Sequence, residues 1–258
     1  VYFYEGARRV GIDRIAEMAA RLGVGVRLGV ELPNERAGLV PTRAWKKAEL
    51  GKSWTIGETL IAGIGQGYVL ATPLQLAVMT ARLVNGGLAV SPRIAAALSG
   101  GDGAMRPLPV VSAGPVGISQ ETLQVMGRAM AAVTTSQRGT AYAARIEDRE
   151  MAMGGKTGTS QVRRITMAER RTGVRRNEVL DRKERDHALF VGYAPLHAPR
   201  YAVAVVIEHG GGGSAVAAPI ARDILVETQR RDPARTTPGS PQASASPHAV
   251  QAMEVTRR

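Results

Sequence analysis

Residues 154–161 read Gly-Gly-Lys-Thr-Gly-Thr-Ser-Gln, and the interpretation of the whole chain depends on this stretch. A phosphate-binding P-loop would place a glycine five residues before Gly155, but that position is Glu150. A P-loop also needs a helix directly after its threonine, whereas residues 160–162 continue the pattern of a β-strand. The stretch therefore predicts a strand and excludes a nucleotide-binding loop.

A strand at this position would carry chemically useful groups on an accessible edge. Thr157 and Thr159 are two residues apart and would project to one face, where their hydroxyls can hold a carboxylate. Lys156 adds a positive charge beside them, and Gly158 keeps the backbone bare so that a substrate can lie against it. A backbone N–H on this edge can form half of an oxyanion hole. Taken alone, the four residues fit an ordinary exposed strand end equally well.

The rest of the second half of the chain reads as short strands followed by a helix. Apolar and β-branched runs bounded by glycine and proline predict strands over 151–162, 187–194 and 201–208. The last two would be joined as a hairpin by residues 195–200. Residues 216–229 would form a helix, with Pro219 in its first turn or at a kink.

The first half is predicted to be mostly helical. Apolar residues at helical spacing predict a helix over 12–22 that stops at Gly23. A capping box at residues 72–75 begins a buried helix over 74–84, and Ser119 can cap a third helix. Residues 29–57 show no sustained period and read as a long structured connection onto which Trp45 and Trp54 would pack. Together the patterns predict an α+β fold, an antiparallel sheet flanked by helices.

The composition excludes several classes of protein. With 258 residues, 44% hydrophobic and 22% charged, the chain is neither a disordered polyelectrolyte nor a collagen or coiled coil. The absence of cysteine excludes thiol catalysis, iron–sulfur clusters, cysteine zinc sites and disulfides. His187, His197 and His248 lack metal-ligand spacing with Asp or Glu, so no metal is predicted. The uncharged run between Glu58 and Arg82 is interrupted by glycines and reads as a loop plus a core helix, not a membrane span.

Charge and composition also divide the chain. The net charge is +12, and nine of the basic residues lie in an insertion over 163–186 that is expected to be solvated and mobile. Residues 1–229 are predicted to form one domain, and 230–258, rich in Pro, Ser and Arg, a disordered tail. Basic residues placed in a loop and a tail, with only 4% aromatic residues, argue against nucleic-acid binding.

Several short motifs accompany the Lys-Thr-Gly strand in one order along the chain. They are Gly63-Ile64-Gly65-Gln66-Gly67-Tyr68, Ala71-Thr72-Pro73-Leu74-Gln75-Leu76-Ala77, Asn85-Gly86-Gly87, Gly139-Thr140-Ala141, Phe190-Val191-Gly192-Tyr193-Ala194-Pro195 and Glu208-His209-Gly210-Gly211-Gly212-Gly213-Ser214. In these motifs the chain resembles the transpeptidase domain of class B penicillin-binding proteins, specifically the elongation-type penicillin-binding protein 2. The resemblance runs from Val1 to about Gln229.

The resemblance implies a peptidoglycan D,D-transpeptidase that acts through a serine acyl-enzyme, needs no cofactor and is acylated by β-lactams. It implies that Lys156 and Thr159 are catalytic, that Thr157, Gly158 and Thr159 bind substrate, and that His209 lies near the cleft. A histidine in a solvated loop is the alternative for His209. The implied partners are peptidoglycan stem peptides, a membrane glycosyltransferase and other proteins of the elongation complex. The implied location is the periplasmic face of the bacterial inner membrane.

One departure from the family pattern limits these expectations. No serine of the chain is followed by Lys three positions on, nor by Asn or Asp two positions on, so the nucleophile motif and the second motif of the family are both missing. The expectation is that the chain is the C-terminal part of a longer protein, incomplete at its N-terminus, with nucleophile and membrane anchor upstream. A degenerate paralogue, a non-catalytic scaffold of wall synthesis and a basic nucleic-acid-binding protein are the alternatives.

Overall fold

The structure is a computed structural model that describes residues 1–109, 113–163 and 165–232. Its helices are α1 (Tyr2–Val10), α2 (Ile12–Arg21), α3 (Arg43–Leu50), α4 (Ile56–Ala62), α5 (Pro73–Val84), α6 (Gln120–Thr135), α7 (Met167–Thr172) and α8 (Ala218–Arg231). Its strands are β1 (Ala97–Ser99), β2 (Met105–Pro107), β3 (Gly154–Ser160), β4 (His187–Ala194) and β5 (Tyr201–Ile207). Short 3₁₀ turns occupy Tyr142–Ala144, Asn177–Val179 and Arg182–Glu184, and a π-helical turn occupies Gly213–Ala217.

The central sheet has the strand order β3-β4-β5, and both pairings are antiparallel. Thr157 lies opposite Phe190, which in turn lies opposite Val205. Within the described part of the chain β3 pairs only with β4, so its outer edge remains open. β1 and β2 form a separate two-stranded hairpin.

One face of the sheet packs against α8 through small side chains. The buried cluster there is built around Phe190, which is fully buried, and includes Ala217, Ala218, Ala221 and Leu225. Alanines on the helix permit a close approach to the strands, because nothing longer separates the two backbones. The ring of Phe190 also fills the space above a pair of glycines.

Those glycines, Gly155 and Gly192, lie opposite each other on β3 and β4. A Cβ on Gly155 would lie 2.5 Å from the Phe190 ring, and one on Gly192 would lie 2.7 Å from it. Packing against the Phe190 ring therefore explains both glycines.

The other face of the sheet packs against α5 and α6. The Tyr193 hydroxyl donates to the carbonyl of Gly127 on α6 at 3.4 Å, and Thr134 of α6 donates to the carbonyl of Met153, directly before β3. With helices on both faces, the predicted α+β fold with an antiparallel sheet flanked by helices is confirmed.

The buried helix α5 begins as its sequence predicts. Thr72 and Gln75 form the capping box, and the buried Gln75 amide also donates to the carbonyls of Val26 and Ala37 at 2.7 and 2.8 Å. The uncharged run thus contains the predicted glycine loop and core helix, and it also contains the end of α4, which was not predicted. Across the described ranges, no helix has both the length and the apolar character needed to cross a membrane.

The prediction of a long connection over 29–57 was wrong in one part, because it contains α3. Thr42 caps this helix by accepting from Trp45 N at 3.0 Å, and Gly51 ends it in the left-handed conformation with φ 65°. Only Lys46 of α3 is buried. The helix consequently lacks the apolar stripe by which a sequence reveals a helix.

The C-terminal end of the last helix also differs from prediction. The helix α8 continues to Arg231, two residues into the predicted tail, and Pro219 lies in its first turn. Two basic residues in its last turn suit the negative end of the helix dipole. The remainder of the predicted tail, 233–258, lies outside the described residues, so its disorder stays a prediction.

The expected solvated insertion over 163–186 is exposed at most of its described residues, but part of it is folded and shielded from solvent. The insertion contains α7, and Leu180 within it is 5% exposed. The Arg163 and Glu169 side chains pair at 2.6 and 2.7 Å and keep only 17% and 12% of their exposure. One pair of opposite charges within the insertion is therefore shielded from solvent, which the density of charge alone did not predict.

Candidate functional site

The Lys-Thr-Gly residues occupy the middle of β3, the strand whose outer edge is open in the described part of the chain. The register confirms that Thr157 and Thr159 share a face, since they lie opposite Phe190 and Ala188. Lys156 alternates to the opposite face and is exposed. Its ammonium donates to the Thr157 carbonyl at 2.6 Å. The Lys156 ammonium and the two threonine hydroxyls therefore project from opposite faces of β3. The sequence predicted the charge beside the hydroxyls, and the structure places both along the same open edge but on different faces.

The first of the two threonine hydroxyls is held by a residue that the site prediction did not include. Thr157 Oγ1 lies 3.0 Å from Thr140 Oγ1, and either hydroxyl can donate. Thr140 follows α6, where the adjacent Ala141 N–H donates to the Val133 carbonyl at 3.0 Å. The signal was present in the sequence as the motif over 139–141, but without a partner the motif gave Thr140 no role.

Gly158 is covered on one side by the π-helical turn. A Cβ on Gly213 would lie 2.3 Å from the carbonyl oxygens of both Gly158 and Leu189, and 3.0 Å from Gly158 N. A Cβ on Gly158 itself would lie 3.2 Å from Leu189 Cβ. Packing against β4 thus gives a reason for a glycine at 158 besides the predicted approach of substrate.

Two histidines meet where β4 begins and β5 ends. The His209 N–H donates to His187 Nδ1 at 2.9 Å, and the two rings pack edge to face with centroids 4.8 Å apart. Because His187 Nδ1 accepts this bond, its ring proton lies on Nε2. His209 Nδ1 is 3.1 Å from the Arg185 carbonyl, and its φ of 56° is held by the turn. His209 is therefore a half-buried, hydrogen-bonded residue and not a freely solvated one.

An ion pair anchors the insertion directly after β3. Glu169 accepts two hydrogen bonds from the Arg163 guanidinium and one from the backbone N–H of Arg175. The bond from Arg163 is the largest cause that lowers the pKa of Glu169 to about 2. The two residues are six apart in sequence, whereas ion pairs recognisable from sequence lie three or four residues apart on a helix, so the sequence did not predict this pair.

The described residues offer no metal centre, since none of their His, Asp and Glu side chains form a group of three suited to an ion. The side chains assigned to the site are instead an amine and hydroxyls. Such groups bind carboxylates and transfer protons, which fits acyl-transfer chemistry at a peptide carbonyl.

Comparison with known proteins agrees with this arrangement. Residues 1–226 match the family model described as the penicillin binding protein transpeptidase domain. The chain belongs to this family. The predicted resemblance to elongation-type penicillin-binding protein 2 is confirmed by relatives and solved structures of that kind.

Among the relatives, the peptidoglycan D,D-transpeptidase MrdA of Haemophilus influenzae is 35% identical over 233 residues, 87% of this chain and 34% of that protein. MrdA of Acinetobacter baumannii is 36% identical over 240 residues, 91% of this chain and 34% of that protein. The chain thus spans about a third of the length of these relatives.

Two solved structures are similar to the structure of this chain. The Pseudomonas aeruginosa PBP2 in complex with WCK 5153 has a TM-score of 0.69 and 36% identity, covering 88% of this chain and 44% of that one. The complex of Helicobacter pylori PBP2 with MreC has a TM-score of 0.72 and 28% identity, covering 89% of this chain and 38% of that one.

Proposed function

We propose that this chain supplies the substrate-holding half of the active site of a peptidoglycan D,D-transpeptidase. The observation that carries the proposal is the open edge strand β3, which presents Lys156, Thr157 and Thr159 within a domain that matches the transpeptidase family over residues 1–226. The relatives named peptidoglycan D,D-transpeptidase support the same reaction.

In this proposal the two threonine hydroxyls hold the carboxylate of a stem peptide against β3, and Lys156 contributes positive charge and supports proton transfer. A serine oxygen attacks the peptide carbonyl, an amine leaves with a proton, and the amine of a second stem peptide displaces the serine from the ester. A backbone N–H of β3 stabilises the oxyanion. The serine motif is missing from these 258 residues and would come from another part of the whole protein.

The same family membership supports acylation by β-lactams, because Mycobacterium tuberculosis penicillin-binding protein 3, 28% identical with a TM-score of 0.67, has been solved with aztreonam and with ampicillin. The Helicobacter pylori complex with MreC supports an elongation-complex partner of that kind. We extend the proposal to a membrane glycosyltransferase partner and to the periplasmic face of the bacterial inner membrane.

The test is the acylation rate of the whole protein with a fluorescent penicillin. Lys156→Ala should lower this rate by at least about 100-fold, the order expected when one catalytic donor is removed from a closed cleft. Lys183→Ala, which removes an exposed charge from the insertion, should change the rate by less than about threefold. Parental rates for both variants, with circular dichroism showing folded protein, would contradict the role of β3.

A scaffold without catalysis is the second candidate, favoured by the missing Ser-x-x-Lys motif. The transpeptidase proposal expects that the 258-residue chain forms no covalent adduct with the fluorescent penicillin, whereas the whole protein does. If the whole protein also forms none while it is folded, the scaffold is the better description. An adduct on the 258-residue chain that survives denaturation would place the nucleophile within these residues.

A further inference from the structure

An open pocket of about 450 Å³ lies between α3 and α4, on elements that contribute nothing to the sheet. It is lined by Arg43, Lys47, Ser53, Trp54, Thr55 and Ile56, with Thr59 behind them. This volume falls within the range of small-molecule sites in proteins. The lining combines an indole, an aliphatic side chain, hydroxyls and two cations, and it contains no acidic residue.

The indole in this pocket is fixed in place. Trp54 Nε1 donates to Thr59 Oγ1 at 2.8 Å, and Thr59 is 6% exposed. The Trp54 ring also contacts Tyr68 of the glycine loop, with centroids 6.4 Å apart. A ligand that packs on this ring meets a surface already ordered, so little conformational entropy is lost on binding.

A largely buried ion pair supports the pocket and engages the carboxylate of Glu58, a residue of α4. Lys46, whose side chain is 6% exposed, donates to Glu58, and Glu58 also accepts from Thr55 N and Thr55 Oγ1 at 2.7 and 2.9 Å. These bonds, that from Lys46 first, lower the pKa of Glu58. The negative charge of Glu58 is therefore balanced and does not compete for the pocket cations.

The two lining cations can act together on an anion. Arg43 and Lys47 are four residues apart on α3, so their side chains project from one face of the helix. Lys47 Nζ is 3.5 Å from the Gly51 carbonyl, and Arg43 Nε is 3.5 Å from Asp13 Oδ2, both long contacts of exposed groups. Such contacts exchange readily for a ligand carboxylate.

We propose that this pocket binds an acidic sugar, a pyranose that carries a carboxylate. The apolar C–H face of the ring packs on Trp54 and beside Ile56, the carboxylate lies between Arg43 and Lys47, and ring hydroxyls bond the remaining side-chain hydroxyls. An anion alone would leave the indole unused, and a neutral sugar would leave the cations unused. The proposal does not rest on the transpeptidase activity, because its test measures binding only.

The test is titration of the ¹⁵N-labelled chain, observing the two indole N–H signals, which Trp45→Phe assigns. N-acetylmuramic acid should shift the Trp54 signal with a dissociation constant on the order of 1 mM, as suits a single sugar. N-acetylglucosamine, which has the same ring without the carboxylate, should bind at least about fivefold more weakly. Lys47→Ala should also weaken N-acetylmuramic acid at least about fivefold, whereas Arg128→Ala, an exposed charge on α6, should leave the constant within about 1.5-fold.

Three results would overturn the proposal. No shift of the Trp54 signal at about 20 mM N-acetylmuramic acid, in a chain with a dispersed amide spectrum, would show that the pocket does not take the sugar. An equal effect of inorganic phosphate would reduce it to an anion site. Equal affinity for the two sugars, or an unchanged dissociation constant in Lys47→Ala, would show that Arg43 and Lys47 do not bind the carboxylate.

Discussion

Replacing Gly213 by alanine should displace the strand that carries the candidate site. The added Cβ would lie 2.3 Å from the carbonyl oxygens of Gly158 and Leu189 and 3.0 Å from Gly158 N. All three atoms belong to the backbone of β3 and β4, so no side-chain rotation relieves the contact. Restoring van der Waals distance requires the π-helical turn and β3 to separate by about 1 Å, since such C···O contacts are normally above about 3.2 Å.

The structure sets the size of the effect. Overpacking of this kind typically costs about 1–3 kcal/mol, and a loss of about 2 kcal/mol lowers the Tm of a domain of this size by roughly 4–8 °C. A displacement of about 1 Å at a substrate-holding strand also lowers a reaction rate by about 100-fold. We therefore expect Gly213→Ala to reduce both the stability of the chain and, in the whole protein, the rate of β-lactam acylation.

Gly212→Ala is the matched control, because a Cβ there has no atom within 4 Å and its φ of −89° suits any residue. It makes the same change in the unfolded chain, so the difference between the variants isolates the contact with β3. Thermal unfolding followed by circular dichroism and labelling with a fluorescent penicillin are the two measurements. Equal Tm values for the two variants would refute the close packing of Gly213 on β3. A lower Tm with an unchanged acylation rate would refute the link between strand position and the site.

Three further predictions address other contacts. Lys46→Ala should lower the free energy of unfolding by about 2 kcal/mol, less than the roughly 3–5 kcal/mol for breaking a fully buried pair, because the Glu58 side chain keeps 22% exposure. Lys47→Ala, which removes an exposed charge, should cost less than about 0.5 kcal/mol. Urea unfolding measures both losses, and equal losses would be evidence against the pair. Because the folded pKa of Glu169 is about 2, below its ordinary 4.5, its stabilisation is complete above about pH 4.5 and is lost as the pH falls toward 2. The Tm of Glu169→Gln should therefore depend less on pH over this interval than the Tm of the parent, whereas Glu178→Gln, a change at an exposed residue, should leave the dependence unchanged. Parallel curves of Tm against pH for the parent and both variants would contradict the expectation. Thr140→Val removes one hydroxyl hydrogen bond to Thr157 and should lower the acylation rate of the whole protein roughly 3- to 10-fold. Thr140→Ser keeps the hydroxyl and should retain the parental rate. An unchanged rate in the valine variant would mean that this bond does not orient the site.

Local chemistry was enough to predict the elements whose signals lie within a few residues. The cap formed by Thr72 and Gln75, the cap at Ser119 and the apolar, β-branched runs of β4 and β5 each involve neighbours in sequence. The Lys-Thr-Gly motif was also readable, because a strand fixes by its period which residues share a face. These signals indicated the helices and strands of the α+β fold, whereas the roles of the candidate residues came from the resemblance to the penicillin-binding family.

Helix α3 escaped prediction because its stability comes from its two ends and one buried ion pair. Thr42 and Gly51 close the helix, and Lys46 meets Glu58 from the next helix. None of these produces an apolar period. The sequence carried the caps but no evidence of what the helix packs against.

The sequence by itself determined that a strand bearing an amine, two hydroxyls and bare backbone exists and how its side chains alternate. Only the tertiary structure decided what fixes that strand. Thr140 reaches Thr157 across 17 residues, and Gly213 closes on Gly158 across a much longer interval. Chain spacing does not encode such contacts, because they form only when helices pack on both faces of the sheet and bring distant backbone together.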